Sequence, residues 1–404
     1  MTGLLSAAGL AKLHDLMAAH VAEERMPGLV TLVAGGGEVH VDVIGRPSFT
    51  DAKPVARDAI FRIASLTKPI TAATTMSLVD AGVLSLDQPV DDLLPELADR
   101  RVLCSMDAEL TGTVPARRSI TVEDLLSLRM GFGSVMAPPG TYPIQRAEAE
   151  LGLQSIGGPP WPPVALDTDQ WIAALGTLPL LDQPGERWLY NTGAQVLGVL
   201  LARVAQKDLD AVMRERIFKP LRMTDTGFTV PGDKLNRLTT FYMPNTGTGE
   251  LSMLDDPIDS WWGNPTRFAD ASGWLTSTID DYWAFVSMLL AGGSLNGQRV
   301  LSESSVEVMT TDRLTPEQRA GTGVFLGDHT GWGFGMAAPA DGSRGQPLPC
   351  GFGWDGGSGT TWRTNAETGT TGILLTQRAV TSPGPQPVYE DFWAGVNAAT
   401  NVES

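Results

Sequence analysis

Strand-like runs occupy the two ends of this chain, and helical patterns fill its middle. Near the N-terminus "PGLVTLVAGGGEVHVDVIG" holds two β-rich segments separated by Gly35-Gly36-Gly37, a hairpin signal. The last third contains "GWGFGM", "GWDGGSGTTWRTN" and "TGILLTQR", short strand-like runs divided by turn residues, with "NAETG" (Asn365 to Gly369) joining the final two as a hairpin. Between them lie capped or periodic helical stretches: "TVEDLLSLRMGFG" from Thr121, and the run from "AQVLGVLLARVA" to "IFKPLRMTDTGF". A first helix precedes the hairpin, with Leu10, Leu13, Met17 and Val21 on one face, and "YEDFWAGVNAAT" closes the chain as another. The order implies an α+β fold split in sequence. Residues 1–85 and 265–404 would build a domain around an antiparallel sheet flanked by helices, and 86–264 a mainly helical insertion. "MAPPGTYPIQ" and "SIGGPPWPPVALDTDQW" frame an irregular region between Met136 and Trp171, of the kind that forms lids or pocket walls.

Size and charge narrow the function. The 404 residues, 42% hydrophobic, can bury one large core or two smaller ones. A formal net charge of −17 repels nucleic acid and anionic lipid, so neither is expected as a partner. Cys104 and Cys350 stand far apart and imply no disulfide framework. The four histidines, His14, His20, His40 and His329, form no cluster with acidic residues, so no zinc site and no cofactor are expected. The N-terminal stretch lacks the pattern of a secretory signal, and no segment has the uninterrupted apolar length to cross a bilayer. The expectation is a cytoplasmic protein; its oligomeric state is not legible.

Chemistry concentrates in "FRIASLTKPITAATTMSLVDAG", Phe61 to Gly82, where Ser65 and Lys68 stand at i, i+3 at a helix start. Pro69 falls in the first turn, where its missing N–H does little harm, and Gly82 provides a C-terminal stop. Ala73, Met76 and Val79 continue an inward face. At that spacing the amine reaches the hydroxyl. A serine hydroxyl is a poor nucleophile until something takes its proton. Lysine can do so only if burial lowers its pKa from about 10.4 toward neutrality. Unpaired N–H groups at the helix start stabilise developing negative charge. The four-residue motif alone is common by chance.

The wider chain is more specific. "FRIASLTKPITA" resembles the nucleophile segment of the serine β-lactamase and penicillin-binding protein superfamily, in its class C and family VIII carboxylesterase branch. "TVEDLLSLRMGFG", "PGERWLYNTGAQVLG", "IFKPLRMTDTGF" (with Arg222 where glycine is usual), "ASGWLTSTIDDYWAF" and "GFGWDGGSGTTW" follow in that family's order. The resemblance implies Ser65 as acyl-accepting nucleophile, Lys68 as its proton partner and Tyr190 as a second base. Two departures set the chain apart from class C β-lactamases. Thr192 stands where they carry asparagine, and no lysine follows Lys234, so their Lys-Thr-Gly strand is replaced by "Trp354-Asp355-Gly356-Gly357". Tryptophan there is typical of the esterase branch, and its aromatic face suits a neutral, apolar ester. Without the cation a phenolate is not expected; Lys68 and Tyr190 are expected to act as a coupled pair.

The same strand should give half of an oxyanion hole, an N–H near Gly357 opposite that of Ser65, with glycine permitting close approach. Trp354, Asp355, Gly356 and Asn191 are the substrate-binding candidates, although Asp355 is expected to point away from the pocket. Trp161, Trp261, Trp262 and Trp362 are equally suited to a pocket wall and to the core, and Arg363 is a further candidate for orienting substrate. The expected function is hydrolysis of a small-molecule carboxylic ester through an acyl-enzyme. The alternatives are β-lactam or D-Ala-D-Ala amide hydrolysis, acyl transfer by the same residues, or a non-catalytic binding protein.

Overall fold

A two-stranded hairpin is marginal in water by itself, so the N-terminal strands need partners. The computed structural model describes residues 5–153, 161–319, 321–327, 329–340, 343, 345–384 and 386–400. In it β1 (Gly28–Gly35) and β2 (Glu38–Gly45) pair from Gly28↔Gly45 to Gly35↔Glu38. Five C-terminal strands complete one sheet: β3 (Thr330–Trp332), β4 (Ala337–Pro339), β5 (Phe352–Gly356), β6 (Thr360–Asn365) and β7 (Thr370–Thr376). The order is β3-β4-β5-β6-β7-β1-β2, and every neighbouring pair is antiparallel. The seam between the two chain ends is β1 against β7, running from Leu29↔Thr376 to Ala34↔Thr371. The Asn365–Gly369 turn joins β6 to β7 as the sequence indicates. Asn365 Oδ1 accepts the N–H groups of Glu367 and Thr368, at 3.0 and 3.3 Å, which closes the turn locally.

Both faces of the central strands are covered, so β1 is buried along its whole length rather than alternating. On one face α1 (Ala7–Ala22) packs beside the C-terminal helix, with Leu13, Met17, Phe392 and Val396 meeting Leu29, Val33 and Leu374. The intervening residues Val30, Leu32, Ile373 and Leu375 point to the opposite face and join the main core. That core continues from the sheet through residues 86–264 without a break.

α2 (Thr67–Asp80) departs from the one-faced pattern expected of it. Every residue from Thr67 to Leu78 is buried. Its polar residues tolerate this because their hydroxyls bond back along the helix: Thr71 to Thr67 O, Thr74 to Ile70 O and Thr75 to Thr71 O, at 3.2, 2.8 and 2.9 Å. The stretch from Met136 to Trp171 is less irregular than its Pro/Gly content suggests. Pro143–Glu150 is a helix with proline in its first turn, and Thr168–Thr177 is a helix capped reciprocally by Asp167 and Gln170. Residues 154–160 of that stretch lie outside the described residues. α3 (Thr192–Ala205) and α4 (Ile279–Leu290) complete the elements that frame the site, and the C-terminal helix, Pro387–Thr400, is α5. Among the described residues no helix is long and apolar enough to cross a membrane.

Candidate active site

A two-residue strand pair sets the position of Ser65. Phe61 and Arg62 pair with Ser277 and Thr276, and Ile63 N–H donates to Leu275 O at 3.0 Å. The chain then turns sharply into α2. Ala64 takes φ +43°, a left-handed conformation that costs a non-glycine residue energy and that the surrounding bonds must hold. Thr67 Oγ1 donates to Ala64 O at 2.7 Å, and Tyr282 Oη donates to Leu66 O at 3.2 Å. From the sheet, Ser358 Oγ donates to Arg62 O and Thr360 Oγ1 to Ile63 O, at 2.5 and 3.1 Å. The turn that carries Ser65 is thereby tied to the β5–β6 hairpin. Gly356 lies where these two pieces of backbone approach. A Cβ there would fall 2.5 Å from Ile63 O and 2.1 Å from Thr360 Oγ1, so the place is closed to any side chain.

Lys68 projects from the first turn of α2 into the protein and is 1% exposed. Its Nζ lies 3.0 Å from Ser65 Oγ and 2.8 Å from Ser272 O. Burial pulls its pKa down from the ordinary lysine value to about 7, against the opposing charge of Asp270. The neutral amine that proton abstraction requires is therefore accessible near neutral pH.

Tyr190 arrives from the other side of the molecule, just before α3. Its carbonyl accepts Ser134 N–H at 2.8 Å, and the neighbouring Leu189 N–H donates to Leu128 O at 2.8 Å. Trp354 Nε1 donates to the phenol oxygen at 2.8 Å, and that oxygen is also hydrogen-bonded to Ser65. The Lys68 ammonium position is 4.4 Å from the ring centroid. Burial drives the phenol's pKa well above its ordinary value. The bonds from Ser65 and Trp354 counter this in part, while the charges of Asp355 and Asp270 reinforce it. Burial thus favours the neutral phenol. The tryptophan supplies a neutral N–H where a lysine would supply a charge.

The remaining candidates converge on one cleft of ≈ 920 Å³, whose walls include Ser65, Tyr190, Asn191 and the whole run from Trp354 to Gly357. The Ser65 N–H belongs to the first turn, where no intrahelical acceptor exists. Gly357 follows the last residue of β5, its carbonyl taken by Val380 N–H at 2.8 Å. Asp355 does not turn away: it lines the cleft, where Arg363 grips it through two bonds of 3.0 and 2.8 Å and Thr361 Oγ1 donates to it at 2.5 Å. The strand's outer neighbour β4 reaches β5 only at Ala337↔Gly353. Residues 354–356 therefore form an open edge, and side chains from both faces of the strand border the same cleft. Arg363 also lines it.

Four tryptophans do not join this wall. Trp262 stacks on Trp274 and lies 4.8 Å beneath the Arg62 guanidinium, and Trp261 packs against Trp262. Trp161 meets Phe241 edge-on, and Trp362 is buried against Tyr282, Phe285 and Phe352. Their apolar bulk serves the core. The cleft instead takes Trp393 from α5 and Phe325, the latter stacked near Tyr190 with ring centroids 4.6 Å apart. Neither carries a local sequence signal, and nor does Asp270. Among the described residues no three His, Cys, Asp or Glu side chains gather as metal ligands.

Comparison with known proteins places the chain among relatives of the same fold. The beta-lactamase family model matches residues 13–390. A Mycobacterium tuberculosis protein, Rv1367c, is 38% identical over 348 residues, 84% of this chain and 82% of that one. Esterase EstB of Burkholderia gladioli is 27% identical over 397 residues, covering 93% and 92% of the two chains. Among solved structures, EstCE1, described as a hydrolase with promiscuous acyltransferase activity, superposes with a TM-score of 0.77 at 22% identity, over 96% of this chain and 99% of that one.

Proposed function

The chain belongs to the beta-lactamase family, and from that premise we propose that it hydrolyses carboxylic esters through an acyl intermediate on Ser65. One observation carries the reading: a buried lysine, brought to about 7, sits 3.0 Å from the Ser65 hydroxyl. Neutral Lys68 takes the serine proton as Oγ attacks the ester carbonyl. The N–H groups of Ser65 and Gly357 hold the oxyanion. Tyr190, protonated, gives its proton to the departing alkoxide as the C–O bond breaks, and the Lys68 ammonium restores it. Water then enters along the reverse path, and the acid leaves.

The cleft favours a neutral, apolar ester. Trp354 and Trp393 border it, and the charge of Arg363 is spent on Asp355, so among the described residues that line the cleft no unpaired arginine or lysine awaits a substrate carboxylate. This separates the reading from β-lactam hydrolysis. Transfer of the acyl group to an alcohol is the second reading. A cleft of ≈ 920 Å³ has room for an organic acceptor beside the acyl chain, and EstCE1 is described as having such activity.

The test is a panel of p-nitrophenyl esters of graded acyl length, a chromogenic cephalosporin and a D-Ala-D-Ala peptide, with wild type and Ser65→Ala. Ester turnover lost in Ser65→Ala, with the other two substrates turned over at least 100-fold less efficiently, is the expected result. Comparable turnover of the cephalosporin would count against it. Repeating the ester assay with added primary alcohol, and measuring new ester against free acid, separates transfer from hydrolysis.

A further inference from the structure

Lys68 has an acidic neighbour that belongs to none of the motifs. Asp270 lies in the loop before Thr276–Ser277 and is 2% exposed. Among the described residues no arginine or lysine side chain pairs with it. Its Oδ2 accepts Gln195 Nε2–H from α3 at 2.9 Å, and its Oδ1 accepts Ser272 N–H at 2.7 Å. The Ser272 carbonyl, on the same residue, accepts from Lys68 Nζ at 2.8 Å. Gln195 is itself buried. A buried carboxylate without a cation is costly unless hydrogen bonds and a nearby positive charge hold it. Gln195 and Ser272 supply the bonds. Among the described residues, the nearby positive charge is the ammonium form of Lys68.

We propose that Asp270 is a positioning residue that favours the ammonium form of Lys68 and so sets the pH below which Ser65 cannot be activated. The proposal rests on the Ser65–Lys68–Tyr190 reading above. The groups facing Lys68 come from three places: its own turn, the loop of Asp270 and Ser272, and the chain just before α3. Ser65, on its own turn, and the Ser272 carbonyl face it as dipoles. Tyr190, at the start of α3, faces it as a neutral phenol. Asp270 faces it as a charge, the one that opposes the effect of burial. Asp355, on β5, acts on Tyr190 and is matched by Arg363. Asp270 also works against ionisation of Tyr190. One carboxylate thus favours the protonated form of both members of the pair, and the tyrosine begins each cycle able to donate.

The experiment is the rate at which a fluorophosphonate labels Ser65, followed by intact mass from pH 5 to 9. Wild type is compared with Asp270→Asn and Asp270→Ser. Asparagine keeps the shape: its Oδ1 accepts Ser272 N–H, and its amide meets a flipped Gln195. Removing the charge lowers the lysine pKa, so the acid limb should move down by about one unit. Labelling at pH 6, relative to the plateau, then rises about fivefold. The serine variant, which is also uncharged, gives the same reading if the asparagine protein does not fold. A limb that stays at the wild-type pH while only the plateau falls would overturn the proposal, because it would mean that Asp270 merely shapes its loop. Failure of wild-type Ser65 to label, or labelling that survives Ser65→Ala, would instead remove the catalytic reading itself and the proposal with it.

Discussion

Replacing Tyr190 with phenylalanine removes one oxygen and almost nothing else. The ring keeps its neighbours Trp188, Phe325, Trp332 and Trp354, at centroid distances of 5.6, 4.6, 6.4 and 5.7 Å, so no cavity opens. What is lost is the acceptor for Trp354 Nε1 and the partner of Ser65. Leaving one buried donor unsatisfied costs about 1–3 kcal/mol. For 404 residues, at about 2.1 cal/mol/K each, that lowers the melting midpoint by only about 1–4 °C. The kinetic effect is of another size. If the phenol delivers the proton to the leaving alkoxide, kcat falls by about 100- to 10,000-fold, or about 2.7–5.4 kcal/mol of barrier. KM should stay within a few-fold, because the apolar wall is intact. Stopped-flow kinetics on a p-nitrophenyl ester and a thermal melt on the same preparation check both numbers. A variant that keeps more than a tenth of wild-type kcat between pH 6 and 9 would refute the reasoning and leave Lys68 as sole proton carrier.

Because Lys68 must be neutral and its pKa is brought to about 7, kcat/KM should be flat above pH 7 and fall tenfold per unit below it. The phenol's raised pKa adds no limb in that range, and a profile flat down to pH 5 would contradict a lysine base. Gly356→Ala drives a methyl into Ile63 O and Thr360 Oγ1; the hairpin must withdraw from the Ser65 turn, and phosphonate labelling should slow at least tenfold. Asp255→Asn strips the buried Arg62 guanidinium of its carboxylate, next to the same turn; such a break costs about 3–5 kcal/mol, or about 4–6 °C of melting midpoint by calorimetry.

Much of the fold was legible because it rests on local rules. The turns at Gly36-Gly37 and Asn365–Gly369 are written in residues that close turns by themselves. Their appearance at both ends of the chain was enough to infer a sheet assembled from distant pieces. The tryptophans stayed undecided between core and pocket for a related reason. Composition marks Trp161, Trp261, Trp262 and Trp362 as large and apolar, but which large apolar side chain meets the core and which meets a ligand depends on partners far away in the chain.

The sequence by itself determined the candidate pair: a hydroxyl and an amine one helical turn apart, with the missing downstream lysine already arguing against a phenolate. Only the folded chain decided whether that amine is usable. Desolvation of Lys68, the field of Asp270, the indole N–H that anchors Tyr190 and the Asp355–Arg363 pair at the open edge of β5 all join groups brought together by folding. Hydrogen-bond geometry and burial are properties of a packed three-dimensional environment, and no short stretch of residues carries them.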